Sequence, residues 1–303
     1  MATGRGTADG VQHGFPHLET VREAITALYR RLSHDGVQQY GAGVLPADVA
    51  FGEDEELYAG AQRIARVMVG QLRLPQARMV VGFREMEFAA SVELEDGPEY
   101  FVELNSRFKA HRRDVGAALA HEVTHVALHR LGLEFPTTAE NEVLTDTVAT
   151  YLGAGWLLLD AFRRDAVGEQ KLGYLTPEEF GYVLARRARV FGEDPAVWFT
   201  SPQAYEAYTR GRELAEREAT RPPLAGAGWA ARRRYAADRV RARSLLRPGS
   251  DSVVGGDGYR FDRPSSLRVS FRCPTCAQRL GAPVRGRVRV RCGVCRTELE
   301  CDT

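Results

Sequence analysis

The cysteines of this chain are confined to one short region, because all five lie in the last 31 of its 303 residues. Cys273 and Cys276 form one CxxC pair, Cys292 and Cys295 form a second, and fifteen residues separate the pairs. Each CxxC lets two sulfurs converge, and this spacing is typical of a structural four-cysteine zinc site. A unit of fewer than about 40 residues buries too little apolar surface to fold alone, so it needs the metal. The pattern predicts a separate zinc-holding unit at residues 266–303.

The rest of this C-terminal segment suggests what the unit resembles. Val288 and Val290 alternate with arginines as in a short strand, so the unit resembles a zinc ribbon. Cys301 lies outside both pairs, and we expect a solvated or weakly packed thiol rather than a fifth ligand; a redox role for the pairs is an alternative. The many arginines are compatible with a nucleic-acid footprint. Because no aromatic residue beyond Phe271 is interleaved with them, we favour a structural or protein-docking ribbon over one that binds nucleic acid.

Length and composition bound the remaining possibilities. Single hydrophobic cores stop growing near about 250–300 residues, so two units are expected. Apolar residues make up 44% of the chain and charged residues 27%, which is typical of globular proteins. The most apolar helical stretch, Ala149 to Phe162, is too short to span a bilayer, and residues 1–15 lack the apolar segment of a secretory signal. We therefore predict a cytoplasmic protein with no membrane partner.

Apolar periodicity and breaker residues predict the organisation of the chain. The predicted fold class is α+β, with a small antiparallel sheet built around an Asp96-Gly97 turn. The predicted segments are a disordered N-terminus at 1–15, a main domain at 16–219, an Arg/Gly/Pro-rich linker with one basic helix at 220–265, and the ribbon. Strands are predicted at 78–83, 87–94 and 99–104, and helices at 17–32, 53–72, 114–132, 137–162, 176–187, 205–217 and 229–246. Thr137 with Glu140 and Thr176 with Glu179 indicate capping boxes, and Asp114 is a predicted N-cap.

One predicted helix carries a metal-binding pattern, His121-Glu122-Val123-Thr124-His125. Residues i and i+4 project from the same helix face, so both imidazoles can reach one Zn²⁺. A catalytic zinc needs a third protein ligand, and the next helix offers Glu142, 17 residues after His125, with Asp146 one turn further on. Asp146 can accept the free ring N–H of a ligand histidine and fix its tautomer. The spacing predicts a catalytic zinc held by His121, His125 and Glu142.

The sequence HEVTH followed by NEVLTD resembles the HExxH…NExxxD pattern of gluzincins, the thermolysin-like zinc metallopeptidases that include minigluzincins and ImmA-like members. The match covers about residues 100–162. It implies a zincin-like domain with a small antiparallel sheet, active-site helices and a helical C-terminal part, and a peptide or protein as substrate. It also implies these roles: zinc ligands His121, His125 and Glu142, general base Glu122, and Asp146 as the partner of His121.

The mechanism expected from this set is metal-assisted hydrolysis. Glu122 would take a proton from a zinc-bound water that attacks the peptide carbonyl, and would deliver it to the leaving amine. In relatives of this type an edge strand pairs with extended substrate, and residues 100–105 are the candidate strand here, with Asn105 as a substrate-binding residue. An additional oxyanion donor is left open among four tyrosines, Tyr174, Tyr182, Tyr205 and Tyr208.

Less specific interpretations compete with this one. The helix could be an ordinary core helix, but an ionised Glu122 and two further carboxylates would be costly there without a cation. We expect His129 to be exposed or at the edge of the core, His111 in a surface loop, and the stretch around Trp156 in the core. An alternative function is a zinc-binding regulator that acts on nucleic acid or protein through its basic linker and ribbon.

Overall fold

The computed structural model describes residues 11–94, 97–164, 169–256 and 258–303. The chain divides into two compact units, Met1–Arg212 and Glu213–Thr303. Asp96 of the predicted turn and most of the N-terminal segment predicted to be disordered lie outside the described residues. Among the residues that are described, none of the helices is both long enough and apolar enough to cross a membrane.

The described part of the first unit is mainly helical, with one three-stranded and one two-stranded sheet. Its helices and strands are α1 (Leu18–Gln38), α2 (Pro46–Val49), α3 (Leu57–Gln71), β1 (Arg78–Arg84), β2 (Ala90–Val92), β3 (Glu99–Asn105), α4 (Val115–Leu131), α5 (Thr138–Ala149), α6 (Gly155–Asp160), β4 (Arg163–Arg164), β5 (Glu169–Gln170) and α7 (Pro177–Phe191). Helix α8 (Pro202–Ala219) contains the boundary between the units. Helix α4 packs against α3, α5, α6 and two strands of the sheet, so it lies in the centre of the unit.

The predicted capping boxes are confirmed, because the Thr137 and Thr176 side chains each accept a hydrogen bond from a backbone N–H of the first helical turn. Asp114 occupies the predicted N-cap position of α4, but its side chain makes no cap hydrogen bond. Both of its carboxylate oxygens accept hydrogen bonds from the Arg163 guanidinium instead. A bidentate, charge-assisted pair with arginine is stronger than a single bond to a backbone amide, and here it prevails.

The second motif-bearing helix is shorter than predicted. It ends with α5, and a π-helical turn at Thr150–Ala154 precedes α6. Gly153 adopts a φ of +112°, and a Cβ there would lie 2.9 Å from the Gly43 Cα, so only glycine fits this approach. Two carbonyl groups of the turn accept hydrogen bonds from side chains, Tyr151 from Arg187 and Leu152 from Gln71. The break between α5 and α6 therefore depends on residues that are distant in sequence, Gly43, Gln71 and Arg187.

The sheet differs from the antiparallel arrangement predicted. Its strand order is β1-β3-β2, and β3 pairs in parallel with β1 and antiparallel with β2. The prediction that residues 100–105 form an edge strand is therefore wrong, because β3 is the central strand. The Asn105 amide donates to the Met86 and Phe88 carbonyls and so joins the β1–β2 connection to the end of β3. Alternating hydrophobicity predicts strands but not their order.

The described residues of the second unit form the C-terminal part of α8, one further helix and two small sheets. Its elements are α9 (Trp229–Leu245), β6 (Ser250–Gly256), β7 (Tyr259–Arg263), β8 (Arg268–Arg272), β9 (Arg279–Pro283), β10 (Arg287–Arg291) and β11 (Glu298–Asp302). Strands β6 to β9 form one antiparallel sheet in sequential order, and β10 pairs with β11. Two of these strands, β6 and β7, lie in the stretch that the composition predicts to be a linker. Tyr259 and Phe261 of β7 pack in a buried aromatic cluster with Tyr235 of α9, and this burial stabilises the strand.

Candidate metal centres

The histidines and carboxylates of the predicted catalytic site lie on two packed helices. His121 and His125 are one turn apart on α4, and Glu142 and Asp146 are similarly spaced on α5. All four side chains are buried, with at most 4% of each residue exposed. The structure thus brings the predicted set together in the interior of the first unit.

Three ligand atoms form a compact triangle. The Nε2 atoms of His121 and His125 are 3.0 Å apart, and the Glu142 Oε2 lies 3.1 Å from the first and 3.5 Å from the second. Ligands bound tetrahedrally to Zn²⁺ at about 2.0–2.1 Å are separated by about 3.3 Å. The triangle therefore has the size that a single zinc ion requires, and His129 is not part of it.

Hydrogen bonds on the far side of each ring set the tautomers. The Nδ1 of His121 lies 2.7 Å from the Asp146 Oδ1, to which it donates. The Nδ1 of His125 lies 3.2 Å from the Thr145 hydroxyl, which itself donates to the Asn141 carbonyl and so accepts from the ring. Both histidines then direct an unprotonated Nε2 toward the same point, as metal ligands must. The sequence reasoning missed Thr145, although its position one residue before Asp146 was a possible signal.

Asp146 is held from a second direction by the loop that precedes α7. Its Oδ2 accepts hydrogen bonds from the backbone N–H groups of Tyr174 and Leu175. Gly173 has a φ of +81°, and a Cβ there would lie 2.6 Å from this same oxygen. A side chain at position 173 would therefore displace the carboxylate that orients His121.

The electrostatics of the site call for a cation. Glu122, Glu142 and Asp146 are each 0% exposed, and burying three carboxylates together is costly without positive charge. Among the described residues, the Glu142 Oε1 has no hydrogen-bond partner. Burial opposes the charged form of Glu142, yet its contacts with His121 and His125 lower its pKa to about 2. Burial also opposes protonation of His121, but Asp146 and Glu142 raise its pKa well above the usual value.

These observations show that the donor set fits a divalent metal. Two imidazole nitrogens and one carboxylate oxygen are the ligands of many catalytic zinc sites, which keep one position open. The raised pKa of His121 indicates that a proton on this ring can also supply the positive charge that the buried carboxylates require. Protons and metal therefore compete for this site.

A cleft of about 210 Å³ opens beside His125 in the first unit. Leu94, Leu128 and Leu133 contribute apolar surface to it, and Glu134 contributes a carboxylate. Strand β2 packs against α4 and forms one edge of the sheet. The metal-binding triangle is therefore next to both an open pocket and a strand edge.

Other residues singled out in the sequence lie in different surroundings. Asn105 is 8% exposed, and its amide group is engaged by backbone groups. Of the four tyrosines, Tyr182 is buried and accepts a hydrogen bond from Arg186, Tyr208 is buried, and Tyr205 is 53% exposed. Tyr174 contacts the site through its backbone N–H, which donates to Asp146. The expected surface positions of His129 and His111 are confirmed, since both are exposed, and the stretch around Trp156 is buried as expected.

The four cysteines of the ribbon form a second candidate metal site. The Cys273 and Cys295 sulfurs are 3.5 Å apart, as are those of Cys276 and Cys292, and all four lie within 4.8 Å of one another. No disulfide joins them. Sulfurs bound tetrahedrally to zinc at about 2.3 Å are separated by about 3.8 Å, so the cluster fits a zinc ion.

Cys301 differs from the expectation of a solvated or weakly packed thiol. It is 0% exposed on β11, and burial raises its pKa to about 11. A protonated, buried thiol is unreactive and is a poor metal ligand.

Comparison of the whole chain with protein-family models, curated proteins and solved structures gives no match.

Proposed function

We propose that the first unit is a zinc-dependent peptidase of the gluzincin type. The observation that carries the proposal is the convergence of two Nε2 atoms and the Glu142 carboxylate at a spacing of 3.0 to 3.5 Å, with a fully buried Glu122 beside them. This combination of donors with an adjacent carboxylate is typical of sites that activate water for hydrolysis. A core helix without function would have little reason to bury three carboxylates.

Each residue has a distinct part in this proposal. His121, His125 and Glu142 hold the metal, and Asp146 and Thr145 keep both imidazoles in the tautomer that can bind it. A bound zinc ion lowers the pKa of water from about 15.7 to about 7 and polarises a carbonyl oxygen.

Glu122 moves the proton. It follows His121 directly on α4, is 0% exposed, and its negative charge acts on the His121 ring. In the proposed reaction Glu122 accepts a proton from the attacking water and delivers it to the amide nitrogen of the scissile bond. The water oxygen forms a bond to the carbonyl carbon, the C–N bond breaks, and the amine leaves as a neutral group.

Substrate would bind beside β2 rather than β3. An extended peptide can add to an exposed strand edge by main-chain hydrogen bonds, and β2 is the edge of the sheet that packs against α4. The cleft next to His125 would then receive a substrate side chain. Its leucine residues favour an apolar group, such as the side chain of leucine or phenylalanine.

The test compares the wild type with Glu122→Gln on a peptide library made from a digested proteome. Gln keeps the shape of the side chain but cannot accept the proton, so cleavage should fall by at least about a hundredfold while zinc content stays the same. Glu53→Gln is a matched control, because Glu53 is exposed and lies outside both the cleft and the metal-binding group. Its activity should stay within about threefold of the wild type.

Three outcomes would reject the proposal. Cleavage that persists in Glu122→Gln would remove the assigned base. Equal losses in both variants would show that the effect is not specific to Glu122. Wild-type protein with a full zinc complement that cleaves no peptide in the library would leave the site without the proposed activity.

A further inference from the structure

Helix α9 in the second unit presents an unusually basic face. The unit carries 19 arginines against 10 acidic residues. Six of the arginines and a single acid, Asp238, lie on α9. The Asp238 carboxylate accepts a hydrogen bond from the buried Tyr259 hydroxyl. The charge of the helix is therefore almost entirely positive, and its acid is occupied on the packed side.

The arginines of the β10–β11 hairpin are different, because acids neutralise them. The antiparallel register places Arg287, Arg289 and Arg291 directly opposite Asp302, Glu300 and Glu298. Arg287 forms an ion pair with Glu300 at 2.7 Å. Cross-strand pairs of opposite charge leave little net field on that face. These three arginines, part of the larger set that the sequence suggested as a nucleic-acid footprint, thus face acids across the hairpin.

On α9, by contrast, Arg233, Arg234, Arg241 and Arg243 are exposed, and none of them forms an ion pair with a residue that the structure describes. Helical spacing places Arg234 and Arg241 along one edge of the exposed face, about 10.5 Å apart, and Arg243 along the other edge. Between these edges lie the small residues Ala237 and Ser244, together with Val240, which is 64% exposed. The exposed face therefore has arginines on both edges, and its central strip carries Trp229, Arg233 and Val240 together with these small residues.

The N-terminal end of this face carries an exposed aromatic ring. Trp229 is 75% exposed, and the Arg233 guanidinium lies over its ring at 5.6 Å from the centroid. A tryptophan left in water is unusual, and an arginine stacked on it forms a flat cationic platform. The guanidinium of such a platform can pair with a phosphate group, and the ring can stack on an unpaired base.

We propose that α9 binds the major groove of double-stranded DNA, with its edge arginines on phosphates of both strands. The major groove of B-DNA is about 12 Å wide and admits a helix about 10–12 Å across. Arginines on both edges of the exposed face match phosphates on both sides of the groove. The contacts would be mainly electrostatic and independent of sequence.

Two other anionic partners fit the face less well. The major groove of A-form RNA is too deep and narrow for a helix. Binding to an anionic membrane needs a broad apolar face. Here Trp229 and Val240 are the large apolar side chains near the centre of the exposed face, and the arginines stand on both sides of them.

The experiment uses the full chain loaded with zinc and a fluorescently labelled 20-bp DNA duplex, with binding followed by anisotropy from 50 to 200 mM KCl. About four phosphate contacts predict a slope of log K against log salt near −3.6, which is a loss of roughly a hundredfold across this range. Arg234→Gln/Arg241→Gln removes about two of these contacts and should halve the slope. Arg287→Gln/Arg289→Gln removes the same charge from compensated positions and should leave the slope unchanged.

Zinc content and thermal midpoint show whether each variant is folded, and Glu122→Gln should bind DNA as the wild type does, which separates this proposal from the peptidase assignment. Absence of binding at 50 mM KCl would overturn the proposal. An equal effect of the two double variants would also overturn it, because net charge alone would then explain binding. Tighter binding to duplex RNA, or to phosphatidylserine vesicles, than to duplex DNA would assign the face to that partner instead.

Discussion

Replacing Asp146 by asparagine tests the geometry of the first metal centre directly. All three groups that bond to this carboxylate are donors: the His121 Nδ1–H and the backbone N–H groups of Tyr174 and Leu175. An asparagine can accept with only one of its two terminal atoms. In Asp146→Asn the NH2 group must therefore face at least one N–H group, in a site that is 0% exposed.

The expected magnitude follows from these contacts. Loss of the carboxylate partner of a metal-binding histidine typically lowers metal affinity by about 10- to 100-fold, which corresponds to about 1.4–2.7 kcal/mol. The buried donor that loses its acceptor should lower the free energy of unfolding by a further 1–3 kcal/mol or so. Thr145→Val also removes the acceptor of a ring N–H, that of His125, but the lost partner is neutral. We expect a smaller loss of affinity there, below about tenfold.

Zinc affinity can be measured by competition with a chromophoric chelator, while thermal unfolding reports stability. The four-cysteine site is an internal reference, because neither substitution involves its ligands. A wild-type zinc affinity in Asp146→Asn would refute the reasoning, since it would mean that His121 does not need this carboxylate to bind the metal. A larger loss in Thr145→Val than in Asp146→Asn would also contradict it.

Three further predictions concern other parts of the structure. Gly173→Ala should lower the free energy of unfolding by about 1–3 kcal/mol and weaken zinc binding, because its Cβ would lie 2.6 Å from Asp146; Gly14→Ala, at a similar φ of +83° but with no atom within 4 Å, should preserve zinc affinity. Cys276→Ser should lower the zinc content by one ion per chain and make the second unit sensitive to limited proteolysis, since small ribbons depend on their metal. Arg187→Met should lower the free energy of unfolding by about 3–5 kcal/mol in chemical denaturation. The Arg187 guanidinium, 1% exposed, donates to the π-helical turn, and its removal would leave its partner Glu193 without an ion pair. A change below about 1 kcal/mol would contradict that role.

The local parts of both metal centres could be predicted because they depend on short spacings. His121 and His125 share a helix face at any i, i+4 spacing, and a CxxC pair brings two sulfurs together wherever it occurs. The capping boxes are equally local, since three residues separate Thr137 from Glu140. For such features the chain geometry alone brings the groups together, and distant residues contribute little.

Other features could not be predicted from the sequence, because the residues that determine them lie far apart in the chain. The central position of β3 was not predicted, nor were the hydrogen bonds from the Asn105 amide to the β1–β2 connection. Helix α5 ends early because Gly43, Gln71 and Arg187 stabilise the turn that follows it. Periodicity reports burial on one face, and it contains no information about strand order or about distant acceptors.

The sequence by itself determined which side chains can bind metal and at which spacing they stand, because helix and knuckle geometry follow from the backbone. Only the tertiary structure decided that Glu142 lies within 3.5 Å of both imidazoles. It also decided that Thr145 accepts a hydrogen bond from His125, that the loop at 173–175 donates to Asp146, and that β2 is an edge strand of its sheet. The physical reason is that these relations depend on how α4 packs against α5 and the sheet. In a close-packed interior, each contact between distant segments constrains the others.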